Sequence, residues 1–241
     1  MTSVYDRPKQ PKSETQGSGG IAWVLASGPV ERPEVATQGL VRPDIVIAAD
    51  GGSTLAERLG LIPDLIVGDM DSSNAEIIAA FEAQGVELRR YDHRTKAETD
   101  TELALFAALE WQPEEIVLLG ALGGRLDHAL ANIFLLTNPR LSLTRVRIVG
   151  NHEQLFVAHA RVWTAIHGEV GDTVSLLPVG GSAKGVTLEG FEYLLHGETL
   201  PQGLARGVSN RLTELEGRVW VEDGMLLVVQ TLNRGVAGDP D

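Results

Sequence analysis

Five aspartates in the first half of the chain stand where a predicted strand ends or where the next predicted helix begins. Asp50 follows DIVIAA, Asp69 and Asp71 follow DLIVG, Asp100 lies in KAETDTELAL and Asp127 lies in GGRLDHALAN. If consecutive strands are neighbours in a sheet, these carboxylates converge on one edge. Because like charges at short range repel, the convergence predicts divalent cations and a phosphorylated ligand, as in Mg²⁺-dependent phosphoryl transfer.

Each of these acids also has a purely local interpretation. Asp50 precedes a glycine pair and could stabilise a turn, whereas Asp71 with its serine neighbour and Thr99 with Asp100 could cap helices. Asp127 could be a first-turn acid that complements the helix dipole. Caps alone do not require an acid at every strand exit, so the pattern as a whole favours a shared site.

Glycine pairs and two cations are candidates for phosphate contacts. Because glycine has no side chain, the backbone at a glycine pair can approach phosphate oxygens closely and donate N–H hydrogen bonds to them. The planar guanidinium of Arg125 suits a pair of phosphate oxygens, and Lys96 could act similarly, although a surface ion pair is the alternative for both. A histidine next to Asp127, His128, is more simply structural. The candidate set is Gly51, Gly52, Lys96, Gly123, Gly124 and Arg125.

Composition and missing motifs exclude several classes of function. The formal net charge of −13 disfavours nucleic acid and anionic membranes as partners. With no cysteine in the chain, disulfides and thiolate metal sites are excluded, so a metal would need oxygen or imidazole ligands, which favours Mg²⁺. The phosphate-loop, GxGxxG, HExxH and GxSxG patterns are missing. Without a membrane-spanning run or a secretory signal pattern, we expect a cytoplasmic protein.

The pattern of the chain divides it into three parts. Residues 1–20 are polar and rich in Pro, Ser and Gly, which predicts a disordered tail. Residues 21–150 alternate short apolar runs with helical patterns, which predicts an α/β domain with a mainly parallel sheet and flanking helices. Residues 151–241 carry short strand patterns between turns, which predicts an all-β, sandwich-like domain.

Five sequence blocks together resemble thiamine pyrophosphokinases in order and spacing. They are DGG (50–52), PDLIVGDMDS (63–72), K-x-x-T-D (96–100), GALGGRLDH (120–128) with Asn132, and RGVSN (206–210). The resemblance implies transfer of the pyrophosphoryl group of ATP to the hydroxyethyl oxygen of thiamine, which gives thiamine diphosphate and AMP. It also implies an α/β domain followed by a β-sandwich, and a homodimer whose active sites lie between subunits.

The resemblance also implies roles for single residues. The family's acidic, Mg²⁺-binding set matches the aspartates above, so Asp50, Asp69, Asp71 and Asp100 are predicted metal ligands, and Asp71, Asp100, Arg125 and Asp127 are predicted catalytic residues. Either Asp71 or Asp100 would accept the hydroxyl proton. Ser209 and Asn210 match the family's thiamine-side pair. Tyr193 stands where some members carry a tryptophan that contacts the vitamin, and Glu98 departs from the family pattern.

Three other functions fit part of the sequence. A pyrophosphokinase for another heterocyclic alcohol, such as a hydroxymethylpterin, would use the same acids, but the GVSN segment favours thiamine. A glycosyltransferase with a DMD metal site explains neither GGRLDH nor the β-rich second half. A non-enzymatic nucleotide sensor would bind ATP without releasing AMP.

Overall fold

A computed structural model describes residues 19–71, 73–92, 94 and 97–232. Lys96 and residues 1–18 of the predicted tail lie outside the described residues. The chain forms two compact units that divide between Gly123 and Gly124. The domain boundary that the sequence pattern places after residue 150 stays a prediction.

A parallel sheet of five strands forms the centre of the first unit. In space the strands follow the order β5-β1-β2-β3-β4. Because β5 returns to the far side of β1, the strand order reverses there, and sheets of this class bind ligands beyond the carboxyl ends of their strands. The strands are β1 (Ile21–Leu25), β2 (Ile45–Ala49), β3 (Leu65–Gly68), β4 (Glu87–Arg90) and β5 (Glu115–Leu119).

Four helices connect these strands: α1 (Pro33–Ala36), α2 (Gly52–Arg58), α3 (Ala75–Ala83) and α4 (Asp100–Leu109). α4 packs on β1, β2 and β3 through buried side chains that include Ala104 and Leu105. The predicted α/β fold class is confirmed for this unit. The short helix α1 was not predicted, because its four residues are too few to show a helical period.

The second unit begins with α5 (Leu126–Leu135) and a 3₁₀ turn (Pro139–Leu141), and continues as antiparallel strands in two groups. One group has the order β12-β9-β14-β7-β6 and the other β11-β10-β13-β8. The strands are β6 (Arg145–Val149), β7 (Glu153–His159), β8 (Thr164–His167), β9 (Thr173–Pro178), β10 (Ala183–Glu189), β11 (His196–Leu200), β12 (Asn210–Arg211), β13 (Glu216–Trp220) and β14 (Met225–Thr231).

Side chains from both groups of strands share one apolar core. Phe156 and Leu176 contribute from one group, and Ile166, Leu188 and Val219 contribute from the other. This arrangement confirms the predicted β-rich, antiparallel second half.

On the outer part of the second unit, two indole rings lie side by side. The ring centroids of Trp163 and Trp220 are 5.7 Å apart with the planes inclined by 47°. The Arg218 guanidinium lies 5.3 Å from the Trp163 ring centroid, within the range of a cation–π contact. Among the residues that the structure describes, no helix is long and apolar enough to span a bilayer.

Candidate active site

Three of the predicted metal ligands converge at the carboxyl ends of β2 and β3. One carboxylate oxygen from each of Asp50, Asp69 and Asp71 lies within 4.8 Å of the others. Asp50 is only 5% exposed, whereas Asp71 is open to solvent. The cluster therefore has one buried end and one accessible end.

The backbone at this edge explains how Asp69 and Asp71 come close together. In an extended strand Asp69 and Asp71 would point to the same face, but their side chains would leave the backbone about 7 Å apart. Met70 between them has a φ of 65°, so the chain turns sharply there. The Asp71 N–H donates to Asp69 Oδ1 at 3.3 Å, which closes the turn. Asp50 also has a positive φ, 44°, and its N–H donates to the Val67 carbonyl at 2.8 Å.

Ser73 is a member of this site that the sequence did not reveal. Its Oγ donates to Asp50 Oδ1 at 2.5 Å. The hydroxyl therefore restrains the buried carboxylate from the segment that precedes α3. Ser73 lies 23 residues from Asp50 along the chain, and one sequence holds no signal for such a pairing.

Asp100 reaches the same edge from the start of α4. Gly68 has a φ of 147°, and a β-carbon there would lie 2.9 Å from both Asp100 Oδ1 and the β-carbon of Asp50. The missing side chain of Gly68 thus leaves the space in which these two aspartates approach each other.

Neither Asp71 nor Asp100 is the cap of the helix that follows it. The Glu76 N–H donates to the side chain of Asn74 at 2.9 Å at the start of α3, and the Glu102 N–H donates to Thr99 Oγ1 at 3.2 Å at the start of α4. The helix-cap interpretation is therefore confirmed for Thr99 but not for Asp71 or Asp100.

The donor set of the cluster fits a hard divalent cation. All three groups are carboxylates, which are the ligands that Mg²⁺ prefers. Three carboxylates within 4.8 Å of each other repel, and a cation would offset that repulsion.

Three of the four predicted glycines have a backbone reason to be glycine. A β-carbon on Gly52 would lie 1.9 Å from the Leu25 carbonyl oxygen, so close packing of α2 against β1 requires the glycine. Gly123 and Gly124 have φ values of 82° and 65°, which side chains disfavour. Gly51 is the residue before the first turn of α2. The phosphate contacts predicted for these glycines stay a prediction.

Arg125 and Asp127 form a two-pronged ion pair at the start of α5, in the second unit. Arg125 Nε donates to Asp127 Oδ1 at 3.1 Å and Arg125 Nη2 donates to Asp127 Oδ2 at 2.6 Å. The arginine holds the pKa of the Asp127 carboxyl below its usual range, and the aspartate raises the pKa of Arg125. Both side chains are exposed, so this is a surface ion pair, the alternative that the sequence offers for Arg125. The phosphate contact predicted for Arg125 stays a prediction.

The three residues predicted on the vitamin side also come together. Asn210 is 7% exposed, and its side chain hydrogen-bonds the backbone of Tyr193, whose own side chain is 63% exposed. Ser209 precedes Asn210 with a φ of 61°, and its N–H donates to Ser175 Oγ at 3.1 Å.

Two family descriptions match this chain in consecutive segments. "Thiamin pyrophosphokinase, catalytic domain" matches residues 37–149, and "Thiamin pyrophosphokinase, vitamin B1 binding domain" matches residues 164–226. The chain belongs to the thiamin pyrophosphokinase family. In this family member Asp50, Asp69, Asp71 and Asp100 all fall in the catalytic-domain segment, as does the Arg125–Asp127 pair. The Tyr193–Asn210 segment falls in the vitamin B1 binding one.

Known members of the thiamin pyrophosphokinase family resemble the chain over most of its length. The thiamine pyrophosphokinase of Bacillus subtilis is 30% identical over 187 residues, which cover 77% of this chain and 86% of the relative. Thiamine pyrophosphokinase 1 of Oryza sativa subsp. japonica is 27% identical over 200 residues, which cover 79% and 74%. A crystal structure of the Bacillus subtilis thiamine pyrophosphokinase has a TM-score of 0.78 at 25% identity, over 88% of this chain and 99% of that one.

Proposed function

We propose that this chain transfers the pyrophosphoryl group of ATP to thiamine, giving thiamine diphosphate and AMP. The observation that carries the proposal is the cluster of Asp50, Asp69 and Asp71, which lies within the segment that matches the family's catalytic domain. Phosphoryl-type transfer depends on positioning and on neutralising phosphate charge, and a carboxylate cluster that can hold a cation suits both.

In the proposed reaction the thiamine hydroxyl oxygen bonds to the β-phosphorus of ATP. The bond from that phosphorus to the oxygen shared with the α-phosphate breaks, and AMP leaves with the electron pair. The hydroxyl proton passes to a carboxylate, either Asp71 or Asp100. Asp71 is open to solvent, and Asp100 lies beside Gly68, close to Asp50.

A Mg²⁺ ion is the proposed cofactor, held by Asp50, Asp69 and Asp71 with Asp100 as a further ligand. When bound, the ion would supply positive charge that offsets the charge of the phosphate oxygens. The support is the chemistry of the donor set, since carboxylate oxygens suit this ion. Ser73 would keep the Asp50 carboxylate in the orientation that a ligand needs.

We assign the substrates to different parts of the chain. ATP would bind to residues 21–150, with phosphate contacts from Arg125 and from the glycine pairs Gly51–Gly52 and Gly123–Gly124, and with Lys96 as a further cation. Thiamine would bind to residues 151–241 at Tyr193, Ser209 and Asn210. The ranges that match the two family descriptions, 37–149 and 164–226, support this division.

The proposed assembly is a homodimer with its active sites between subunits. An exposed apolar stripe on α5 supports it: Leu126, Leu130 and Phe134 recur every four residues on one face of the helix. A second copy of the chain would cover that stripe. The cytoplasmic location and the exclusion of nucleic acid and membranes as partners stay predictions from charge and hydropathy.

Purified protein with ATP, thiamine and Mg²⁺ tests the proposed reaction. We expect AMP and thiamine diphosphate in equal amounts, separated and measured by chromatography. Replacement of thiamine by a hydroxymethylpterin tests the pterin alternative, and nucleotide binding without AMP release would indicate a sensor. The comparisons with known proteins favour neither alternative. Release of ADP in place of AMP would contradict the proposal.

A further inference from the structure

The segment that carries Tyr193 lies beside β12 and is held there by backbone pairing. Phe191 forms an antiparallel bridge with Leu212, and the Glu192 N–H donates to the Arg211 carbonyl at 2.9 Å. Continued in the same direction, this pairing would bring Tyr193 opposite Asn210.

At that position the side chain of Asn210, and not its backbone, forms the hydrogen bonds to Tyr193. Asn210 Oδ1 accepts the Tyr193 N–H at 3.0 Å, and Asn210 Nδ2 donates to the Tyr193 carbonyl at 2.7 Å. A carboxamide has the same donor and acceptor as a peptide group, so Asn210 satisfies both backbone groups of one residue. The consequence is that the backbone of Tyr193 is fixed at two points.

The acceptor capacity of Asn210 is used within the protein. Oδ1 also accepts the Arg211 N–H at 2.9 Å, so its two lone pairs meet two N–H donors. The residue is buried, in contrast to Tyr193. Its oxygen is therefore poorly placed to accept a hydrogen bond from a ligand.

Tyr193, in contrast, presents an aromatic ring on the surface. Its neighbour Leu194 is also an exposed apolar side chain, as is Val208, two residues before Asn210. A flat heterocycle gains most from such a surface by lying against the ring, provided that the ring is held in one place.

We propose that Asn210 is a positioning residue that acts on thiamine through Tyr193 and does not contact the vitamin through its own oxygen. Its carboxamide fixes the backbone of Tyr193, and the Tyr193 ring contacts the heterocycle. The inference rests on the proposed function, because it takes thiamine as the ligand of this surface.

A double-mutant cycle on the full-length protein tests this coupling. Calorimetry measures thiamine affinity for the wild type, Asn210→Ala, Tyr193→Ala and the double variant, and measures a non-hydrolysable ATP analogue in parallel. We expect Asn210→Ala to weaken thiamine about tenfold in the wild-type background and by less than about twofold in the Tyr193→Ala background. ATP-analogue affinity should be unchanged in each variant.

Asn138→Ala is the matched control. Asn138 also accepts a backbone N–H through its carboxamide, that of Arg140 at 3.0 Å, but it lies at the 3₁₀ turn. This variant should leave thiamine affinity unchanged. If Asn210→Ala fails to fold, Asn210→Ser replaces it in the cycle, since a hydroxyl keeps a polar group at this buried position but is too short to bond both backbone groups of Tyr193.

The outcomes separate this inference from the proposed function. An equal loss of thiamine affinity in both backgrounds would show that Asn210 contacts the vitamin directly, and an unchanged affinity in Asn210→Ala would show that it has no part in binding. Either result would overturn the inference while thiamine still binds the wild type. Failure of the wild type to bind thiamine would instead contradict the proposed function.

Discussion

The clustered aspartates differ in solvent exposure, and we expect them to have different roles. Asp50 is enclosed and restrained by the Ser73 hydroxyl, so its carboxylate has one orientation. Asp71 is open to solvent, where a substrate hydroxyl can reach it. We therefore expect Asp50 to act only as a fixed ligand and Asp71 to be available for proton transfer as well.

Asp71→Asn and Asp100→Asn should abolish chemistry without unfolding the protein. Amides keep the size of these side chains but lose the charge that a cation and a proton acceptor require. Because Asn74 and Thr99 provide the helix caps, neither acid is needed for that role. We expect AMP release to fall at least about a hundredfold at saturating Mg²⁺, with a melting temperature close to that of the wild type.

Glu82→Gln is the control for these variants, because it removes an exposed carboxylate from α3. It should retain full activity. Near-normal turnover in both aspartate variants would refute their assignment. A large fall in melting temperature with the loss of activity would show that the acids stabilise the fold.

Arg125→Lys should be poorly tolerated. The guanidinium donates one hydrogen bond to each oxygen of Asp127. Two oxygens of a phosphate group could accept the same pair of hydrogen bonds. Lysine keeps the positive charge but has no planar pair of N–H groups that could bond two oxygens at once. We expect kcat/KM for ATP to fall about ten- to a hundredfold in steady-state assays, with thiamine affinity unchanged. A lysine variant as active as the wild type would reduce Arg125 to the partner of a surface ion pair.

At the scale of elements, the exit of β3 gives the cluster its shape. Gly68 makes room for two aspartates, and the left-handed turn at Met70 then brings Asp69 and Asp71 to one place. The acids alone therefore do not make the site, since the strand must end in this conformation.

Gly68→Ala should weaken Mg²⁺ binding, because its β-carbon would displace Asp100 and Asp50. Gly181→Ala is the matched control, since Gly181 has a φ of 143°, close to the 147° of Gly68, with open space around it. Both variants should lose stability of order 1–3 kcal/mol from backbone strain. Only Gly68→Ala should lose Mg²⁺ affinity, about 10- to 100-fold by calorimetry. Equal Mg²⁺ affinity in the two variants would contradict this account of Gly68.

The elements that could be predicted from sequence are those with a hydrophobic signature of their own. The apolar runs of β1, β2, β3 and β5 and the Thr99 cap before α4 are local signals, and the alternation of strand and helix patterns predicts the parallel sheet. The strand β11, HGETL, was missed because it is a polar strand at a sheet edge, with mostly exposed side chains. Its place depends on pairing with β10, which hydropathy does not report.

The same distinction applies to the site: residues with a local sequence signal could be predicted, and contacts between distant residues could not. The strand-exit aspartates follow from local pattern, and the structure brings three of them together. The hydrogen bond from Ser73 to Asp50 and the pairing of Asn210 with Tyr193 join residues 23 and 17 positions apart. Such contacts depend on the tertiary fold, so the family resemblance could name Asn210 as a site residue without showing what its side chain binds.

At the scale of the whole molecule, the apolar stripe on α5 predicts the assembly. Phe134 is 59% exposed, so Phe134→Glu should leave the folded monomer intact while placing a charge in the proposed interface. Analytical ultracentrifugation should give twice 25.9 kDa for the wild type and 25.9 kDa for the variant. If the active sites lie between subunits, the variant should also lose activity.

Leu215→Glu is the control for the dimer interface, because Leu215 is an exposed leucine outside α5. It should remain dimeric and active. A wild type that sediments as a monomer, or a Phe134→Glu variant that stays dimeric, would remove the stripe from the proposed interface.

The paired indoles of Trp163 and Trp220 give the second unit an optical signature of its own. Two chromophores at 5.7 Å with planes inclined by 47° couple electronically, and such a pair produces circular dichroism bands of opposite sign that vanish when the rings separate. The chain's other tryptophans, Trp23 and Trp111, lie in the first unit, and Trp23 is buried in β1. Loss of the coupled bands would therefore record the melting of the second unit separately from that of the first.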